Sequence, residues 1–279
     1  ALYRTAEHER LLALCVHHIA GDRWSLGVLG RELTALYNDL RAGRSPSLAA
    51  LLISYRDYAA WQRRWLQGEE LERQLGYWRE RLQGLAALEL PTDRPRPAIL
   101  SFNGAIHVVP LPEALIGQIE TFGVKRGTTA FMTLFTTFVS LLHRLTGQHD
   151  IAVGVPIAGR TRLELEGLIG TFINTLVMRS NVGDSPTFDS LLKQVSSNAL
   201  DAYAHQDMPF DLLVNELVRQ RDTSRAPLVQ VLFNLQDAPV EDAGVDGLQW
   251  TAVPMDRAAA QFELTFSLSL DVLQRLTVE

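Results

Sequence analysis

Three prolines fall within seven residues in PTDRPRP, Pro91 to Pro97, a density that forbids a helix and favours an extended connector across the surface. The hydrophobic pattern differs on its two sides. Upstream, Leu26, Leu29, Leu33, Leu36 and Leu40 recur at helical spacing between Trp24 and Leu40, until Gly43 and Pro46 break the pattern. Tyr55, Tyr58 and Trp61 form one aromatic face on a second helix, best read as packing, and Leu71, Leu75, Trp78 and Leu82 line a third that stops at Gly84. Downstream, strands alternate with helices. Strands are expected at Ala105–Val109, Asp150–Val155, Phe172–Met178, Val229–Leu235 and Phe262–Leu270, and helices at Pro112–Arg126, from Thr128 or Thr129 to Leu145, at Phe188–Tyr203 and at Pro209–Arg219. This order predicts an α/β fold, a mixed sheet covered by helices on one face.

At 279 residues and 47% hydrophobic content, the chain can bury one large core or two modest ones. A net charge of −6 gives no electrostatic footprint for nucleic acid. The single Cys15 excludes an intramolecular disulfide and fits a reducing, cytoplasmic setting. The most apolar stretch, Ala130 to Leu145, is interrupted by Thr133, Thr136, Thr137, Ser140, His143 and Arg144, so it reads as a core helix and not a membrane span. Ala1 to Glu9 show neither a leading helix nor a paired strand, and the chain stops at Glu279 inside a β-like run, so the sequence reads as a fragment cut at both ends.

The chemistry-bearing stretch is CVHHIAGDRWS, Cys15 to Ser25. The apolar run Arg10 to Ile19 reads as a strand leading into the turn Ala20-Gly21-Asp22, with a helix behind it. On a strand His17 and His18 point to opposite faces, which leaves one for chemistry and one for structure. Such a pair is often incidental; Asp22, four residues beyond His18, raises the odds. A carboxylate there can orient an imidazole, or hold the turn by pairing with a distant arginine. Metal binding is disfavoured because no third His or Cys sits at ligand spacing nearby.

Four polar clusters punctuate the downstream part: GVPIAGR (Gly154–Arg160), IGTFINTLVMR (Ile169–Arg179), HQDMPFD (His205–Asp211) and RDTSRAPL (Arg221–Leu228). Each has a structural account. Pro156 and Gly159 end a strand, Asn174 marks an edge or crossing strand, Asp207 and Pro209 open a helix, and Asp222, Ser224 and Pro227 are turn residues.

Together, HHIAGDR, YRDYAAW, IGTFINTLVMR, HQDMPFD and RDTSRAPL, in this order, resemble the motifs of nonribosomal peptide synthetase condensation domains over nearly the whole chain. The resemblance implies a V-shaped pair of chloramphenicol acetyltransferase-like lobes with the HH motif at the floor of a tunnel. Residues 1–45 would be the end of the first lobe, 46–104 connecting helices and crossing, and 105–279 an incomplete second lobe. It implies amide formation between substrates held as thioesters on the phosphopantetheine arms of donor and acceptor peptidyl carrier proteins. Neighbouring synthetase domains would be partners, and the chain would bind no cofactor of its own.

By the same resemblance His18 is the active-site histidine, with His17 and Asp22 as its supports. Asp22 matches the family's structural aspartate, whose arginine partner is expected at Arg160, or failing that Arg179. Arg23, Trp24, Ser25 and, from the second lobe, Asn234 would line the tunnel. Arg23 departs from the family, which has glycine there. If that glycine needs φ > 0 or close backbone approach, Arg23 brings strain or a narrowed acceptor side; a changed acyl preference is the favoured reading, with a harmless solvent-facing side chain or a weakened enzyme as the others. Heterocyclization domains replace the histidines with aspartates, and epimerization domains diverge at HQDMPFD and RDTSRAPL. A noncatalytic module recruiting carrier proteins or a partner enzyme stays open because of Arg23; a freestanding acyltransferase would not need the later motifs.

Overall fold

A computed structural model describes residues 1–183, 187–236, 244–245, 247–249, 253, 259–270 and 275–279. The chain divides into two compact units: residues 1–63 with 158–173 and 240–251, and residues 64–157 with 174–239 and 252–279. Residues 158–173 thus leave the second unit's stretch of sequence and belong with the N-terminal segment.

In the first unit, β1 (Leu2–Arg4) and β2 (Arg10–Leu12) form an antiparallel hairpin, so the N-terminal residues do carry a paired strand, contrary to expectation. The strand expected to reach Ile19 ends at Leu12; Ala13 still exchanges backbone hydrogen bonds with Ala1, and residues 14–20 run through exposed positions. Helix α1 (Arg23–Arg41) starts at Asp22, whose side chain accepts the Ser25 N–H as an N-cap. Helix α2 (Tyr55–Trp65) sets Tyr55 and Tyr58 beside Ile53, Leu165, Leu168 and Phe172, a small core of its own.

The second unit is built on a six-stranded mixed sheet in the order β3-β8-β7-β6-β4-β5: β3 His107–Pro110, β4 Asp150–Ile157, β5 Asn174–Asn181, β6 Val231–Gln236, β7 Leu264–Ser269 and β8 Arg275–Val278. Strand β4 runs antiparallel to β5 and parallel to β6. Its residues Ile151 to Val155 are all buried, the continuous apolar run of a strand covered on both faces. Gly154 is needed there, because a Cβ would meet the Leu232 side chain of β6.

Helices α3 (Gly68–Leu82), α4 (Glu113–Lys125), α5 (Ala130–Thr146), α6 (Phe188–Ala204) and α7 (Phe210–Leu217) complete this unit. In α5, Met132, Phe135, Phe138, Val139 and Leu142 make the buried stripe; Thr129 caps its start and left-handed Gly147 (φ 69°) its end. Phe233 of β6 lies 5.5 Å from the Phe135 ring and 5.2 Å from Phe138. Burying such side chains contributes about 1.5–3 kcal/mol each. The elements expected from the sequence form here, with shifted ends: the strand expected over Phe172–Met178 runs Asn174–Asn181, the edge strand that Asn174 foretold.

The Pro-rich connector is held by RDTSRAPL. Thr223 Oγ1 donates to the Ala98 carbonyl, the Leu100 N–H donates to the Thr223 carbonyl, and Arg225 pairs with Glu89. Arg96 makes a two-pronged ion pair with Glu263 at 2.6 and 2.8 Å. Among the described residues no helix is long and apolar enough to cross a membrane.

Candidate functional site

The HH turn is fixed from within by His17. Its Nδ1 accepts the Ile19 N–H at 3.1 Å and its carbonyl accepts the Ala20 N–H at 2.8 Å, which places the ring proton of His17 on Nε2 in this arrangement. His17 and His18 are both exposed, so the strand-based expectation that they part to opposite faces is replaced by a turn in which His17 is engaged with the backbone. The His18 carbonyl accepts the Thr171 hydroxyl.

Beneath the turn lies a buried ion pair. Asp22 is 4% exposed and the Arg160 side chain 1%, with Nη2 to Oδ1 at 3.0 Å. Each carboxylate oxygen has further donors: Oδ1 takes the Ser25 N–H at 2.9 Å and Oδ2 the Phe172 N–H at 3.0 Å. The Ser25 hydroxyl accepts from the Gly170 N–H and Arg160 Nη2 and lies 2.7 Å from both Asp22 Oδ1 and the Gly170 carbonyl, which share its one proton. Arg160 Nη1 donates to the Leu165 carbonyl and its guanidinium stacks 3.9 Å from the Phe172 ring centre. Burial pushes the Asp22 carboxyl upward, but the Phe172 and Ser25 N–H groups, the Ser25 hydroxyl and the Arg160 charge outweigh it and hold Asp22 below the ordinary carboxylate value. Gly159, left-handed at φ 65°, leaves no room for a Cβ against the Phe172 carbonyl, so glycine is required beside Arg160.

Of the residues expected along a tunnel, Ser25 is buried, Trp24 and Asn234 are half-buried and Arg23 is exposed. Ser25 is 2% exposed with its hydroxyl consumed by the network, so it faces the interior of its unit and not a substrate. Trp24 Nε1 donates to the Glu166 carbonyl at 2.8 Å. Arg23 is the first residue of α1, exposed and without positive φ, so the strain expected of a non-glycine residue is absent. Asn234 is half-buried on β6, alternating with the buried Val231 and Phe233. Arg179 is not the partner of Asp22: it grips Asp150 on the adjacent strand at 2.8 and 2.6 Å and donates to the Arg81 and Gln83 carbonyls. A side chain on β5 opposite Ala152 is within reach of Asp150 on the same face, and that nearer carboxylate takes it.

Two features carry no signal in the sequence. Residues 170–172 each bond to the stretch His18–Ser25, through backbone atoms or, at Thr171, through a hydroxyl. In the second unit Asn174 donates to the Gln206 and Met208 carbonyls and accepts the Phe210 N–H, so IGTFINT anchors HQDMPFD. The motifs are visible in the sequence; their backbone partners have no residue signature.

The family model for the condensation domain matches residues 1–279. The chain belongs to the condensation-domain family. This condensation domain is 46% identical over 265 residues to one of the linear gramicidin synthase proteins of Brevibacillus parabrevis, covering 94% of this chain and 3% of that protein. It is 40% identical over 276 residues to a phosphinothricin tripeptide synthetase of Streptomyces viridochromogenes, covering 96% of this chain and 25% of the other. Among solved structures, the X-domain from teicoplanin biosynthesis superposes with a TM-score of 0.86 at 28% identity over 99% of this chain and 64% of that one. The condensation domain of the monacolin K polyketide synthase MokA, at 22% identity and a TM-score of 0.79 over 94% of this chain and 62% of that one, shares the fold. This condensation domain therefore spans a small part of its synthetase relatives and under two thirds of these solved domains.

Proposed function

We propose that this condensation domain joins an acyl or peptidyl thioester donor to an aminoacyl thioester acceptor, both delivered on the phosphopantetheine arms of carrier proteins, with His18 as the catalytic residue. The acceptor amine attacks the donor carbonyl, a C–N bond forms, the C–S bond breaks, and the amine proton passes through the imidazole toward the leaving thiolate. A free amine titrates near 8 and an imidazole near 6.5, about the range where proton removal or positioning of the amine is feasible. Thioester cleavage drives the reaction and no cofactor is needed beyond the substrates' own arms. His17 and the Asp22–Arg160 pair serve as structural supports, and neighbouring synthetase domains supply the carriers.

The observation that carries this reading is that the turn bearing His18 stands on the buried Asp22–Arg160 pair, with the His18 carbonyl held by the Thr171 hydroxyl. Groups so held keep their geometry without reorganisation when a substrate arrives. The test is reconstitution with loaded donor and acceptor carrier proteins, product measured by mass. His18→Ala is expected to lower the rate about 10²–10⁴-fold, the usual worth of a general base; an unchanged rate removes His18 from the chemistry.

A second reading rests on the teicoplanin X-domain, which was solved in complex with OxyB. On that likeness the domain recruits a partner protein and forms no bond. Amide product from the wild type, absent in His18→Ala, decides against it.

A further inference from the structure

The bonds inside the HH turn, His17 Nδ1 to the Ile19 N–H and the His17 carbonyl to the Ala20 N–H, fix its shape but not its place on the rest of the unit. Thr171 makes that second connection. Its hydroxyl donates to the carbonyl of His18, 153 residues away in sequence. Its own carbonyl accepts the Tyr55 hydroxyl at 2.8 Å. On one side Gly170 is clamped through both backbone groups by the Ser25 hydroxyl, and on the other the Phe172 N–H is bound to Asp22. A Cβ on Gly170 would run into the Tyr55 ring, so the aromatic side chain closes over the segment. Tyr55 is in turn fixed edge-on to Phe172, ring centres 5.1 Å apart.

We propose that Thr171 is a positioning residue for His18: its hydroxyl carries the rigidity of the Asp22–Arg160–Ser25 network to the peptide group that bears the imidazole. The inference rests on the proposed role of His18. Because the carbonyl carbon and Cβ of His18 leave the same Cα, holding the carbonyl restrains the Cα–Cβ direction from which the ring projects. Thr171 suits the task, since β-branching restricts χ1 and keeps the hydroxyl aimed. Tyr55 gives the YRDYAAW motif a part in the same chain of contacts, through its hydroxyl as well as its ring.

The test compares Thr171→Val, which keeps the shape and removes the donor, with Thr171→Ser, which keeps the donor. Both are made in a condensation domain of the length of the solved relatives, assayed with loaded carrier proteins. Thr171→Val is expected to lower kcat about 10-fold, part of the roughly 100-fold that a misplacement of about 1 Å can cost. KM for both carriers should hold, and Thr171→Ser should restore most of the rate. In a His18→Ala background Thr171→Val should cost nothing further, as expected of residues acting as one unit. Equal rates for the valine and serine variants, or an additional loss on top of His18→Ala, overturn the positioning role while leaving His18 in place. A fully active His18→Ala enzyme overturns the role of His18 itself, and the role of Thr171 with it.

Discussion

Arg160 Nη2 lies 3.0 Å from Asp22 Oδ1 across 138 residues of sequence, and both side chains are sealed from solvent. A charge pair taken out of water is retained only where its remaining hydrogen-bond sites are filled. Most are filled here, by the Ser25 and Phe172 N–H groups, the Ser25 hydroxyl and the Leu165 carbonyl, while Arg160 Nε is buried without a hydrogen-bond partner. The result joins the start of α1 to residues 158–173, and the HH turn stands on that joint.

Removing one member should leave the other buried and unpaired. Asp22→Ala and Arg160→Met are each expected to destabilise the chain by about 3–5 kcal/mol, and the double variant by clearly less than their sum. Urea titrations of the four proteins measure the coupling. Additive losses would show that the two charges are independent.

The depressed Asp22 carboxyl sets a pH dependence. The folded value lies below the ordinary 3.8, so the stabilisation is fully present above that value and is lost as pH falls through the folded value. The stability gap between wild type and Asp22→Asn should therefore be flat from neutral pH to about pH 5 and narrow below about pH 4. A gap that widens on acidification would reverse the sign of the shift.

Arg23→Gly tests the departure from the family motif. Glycine costs up to about 1 kcal/mol in a helix interior and less at its first residue, while a cation at a helix N-terminus costs about 0.3–1 kcal/mol, so the two effects offset. Melting temperature and donor-acyl selectivity should both stay at wild-type values. A changed selectivity would place Arg23 on the substrate path.

Asn174→Ala should unfasten HQDMPFD. Two carbonyls and one N–H lose their partner, at about 1 kcal/mol for each net hydrogen bond. Hydrogen exchange should rise at Gln206 to Phe210 before it rises in β4. Exchange that rises in β4 first would place the anchor elsewhere.

Much of the second unit is legible in the sequence because its patterns are long. The 3–4 spacing in α5 and the alternation through Leu264, Phe266 and Leu268 each have one good burial solution. The HH stretch reads as strand in the sequence because an apolar run looks the same whether or not a neighbour exists to pair with it. Strand β2 ends at Leu12, and residues 18–20 form the turn. Arg179 fails as a partner of Asp22 for a similar reason: the sequence offers arginines, but only the register of β4 against β5 brings Asp150 to it.

By itself the sequence determined the α/β class, the helical stripes and the motif order that marks the family, while the turn expected at Ala20 to Asp22 lies at His18 to Ala20 and Asp22 caps α1. Local pattern suffices there, since burial period and capping chemistry act over a few residues. Only the tertiary structure decided that Arg160 is the buried partner of Asp22, that Ser25 belongs to that network, and that Gly170, Thr171 and Phe172 hold the turn bearing His18. Those contacts join segments more than a hundred residues apart, largely through backbone N–H and C=O groups that every residue but proline carries, so residue identity does not announce them.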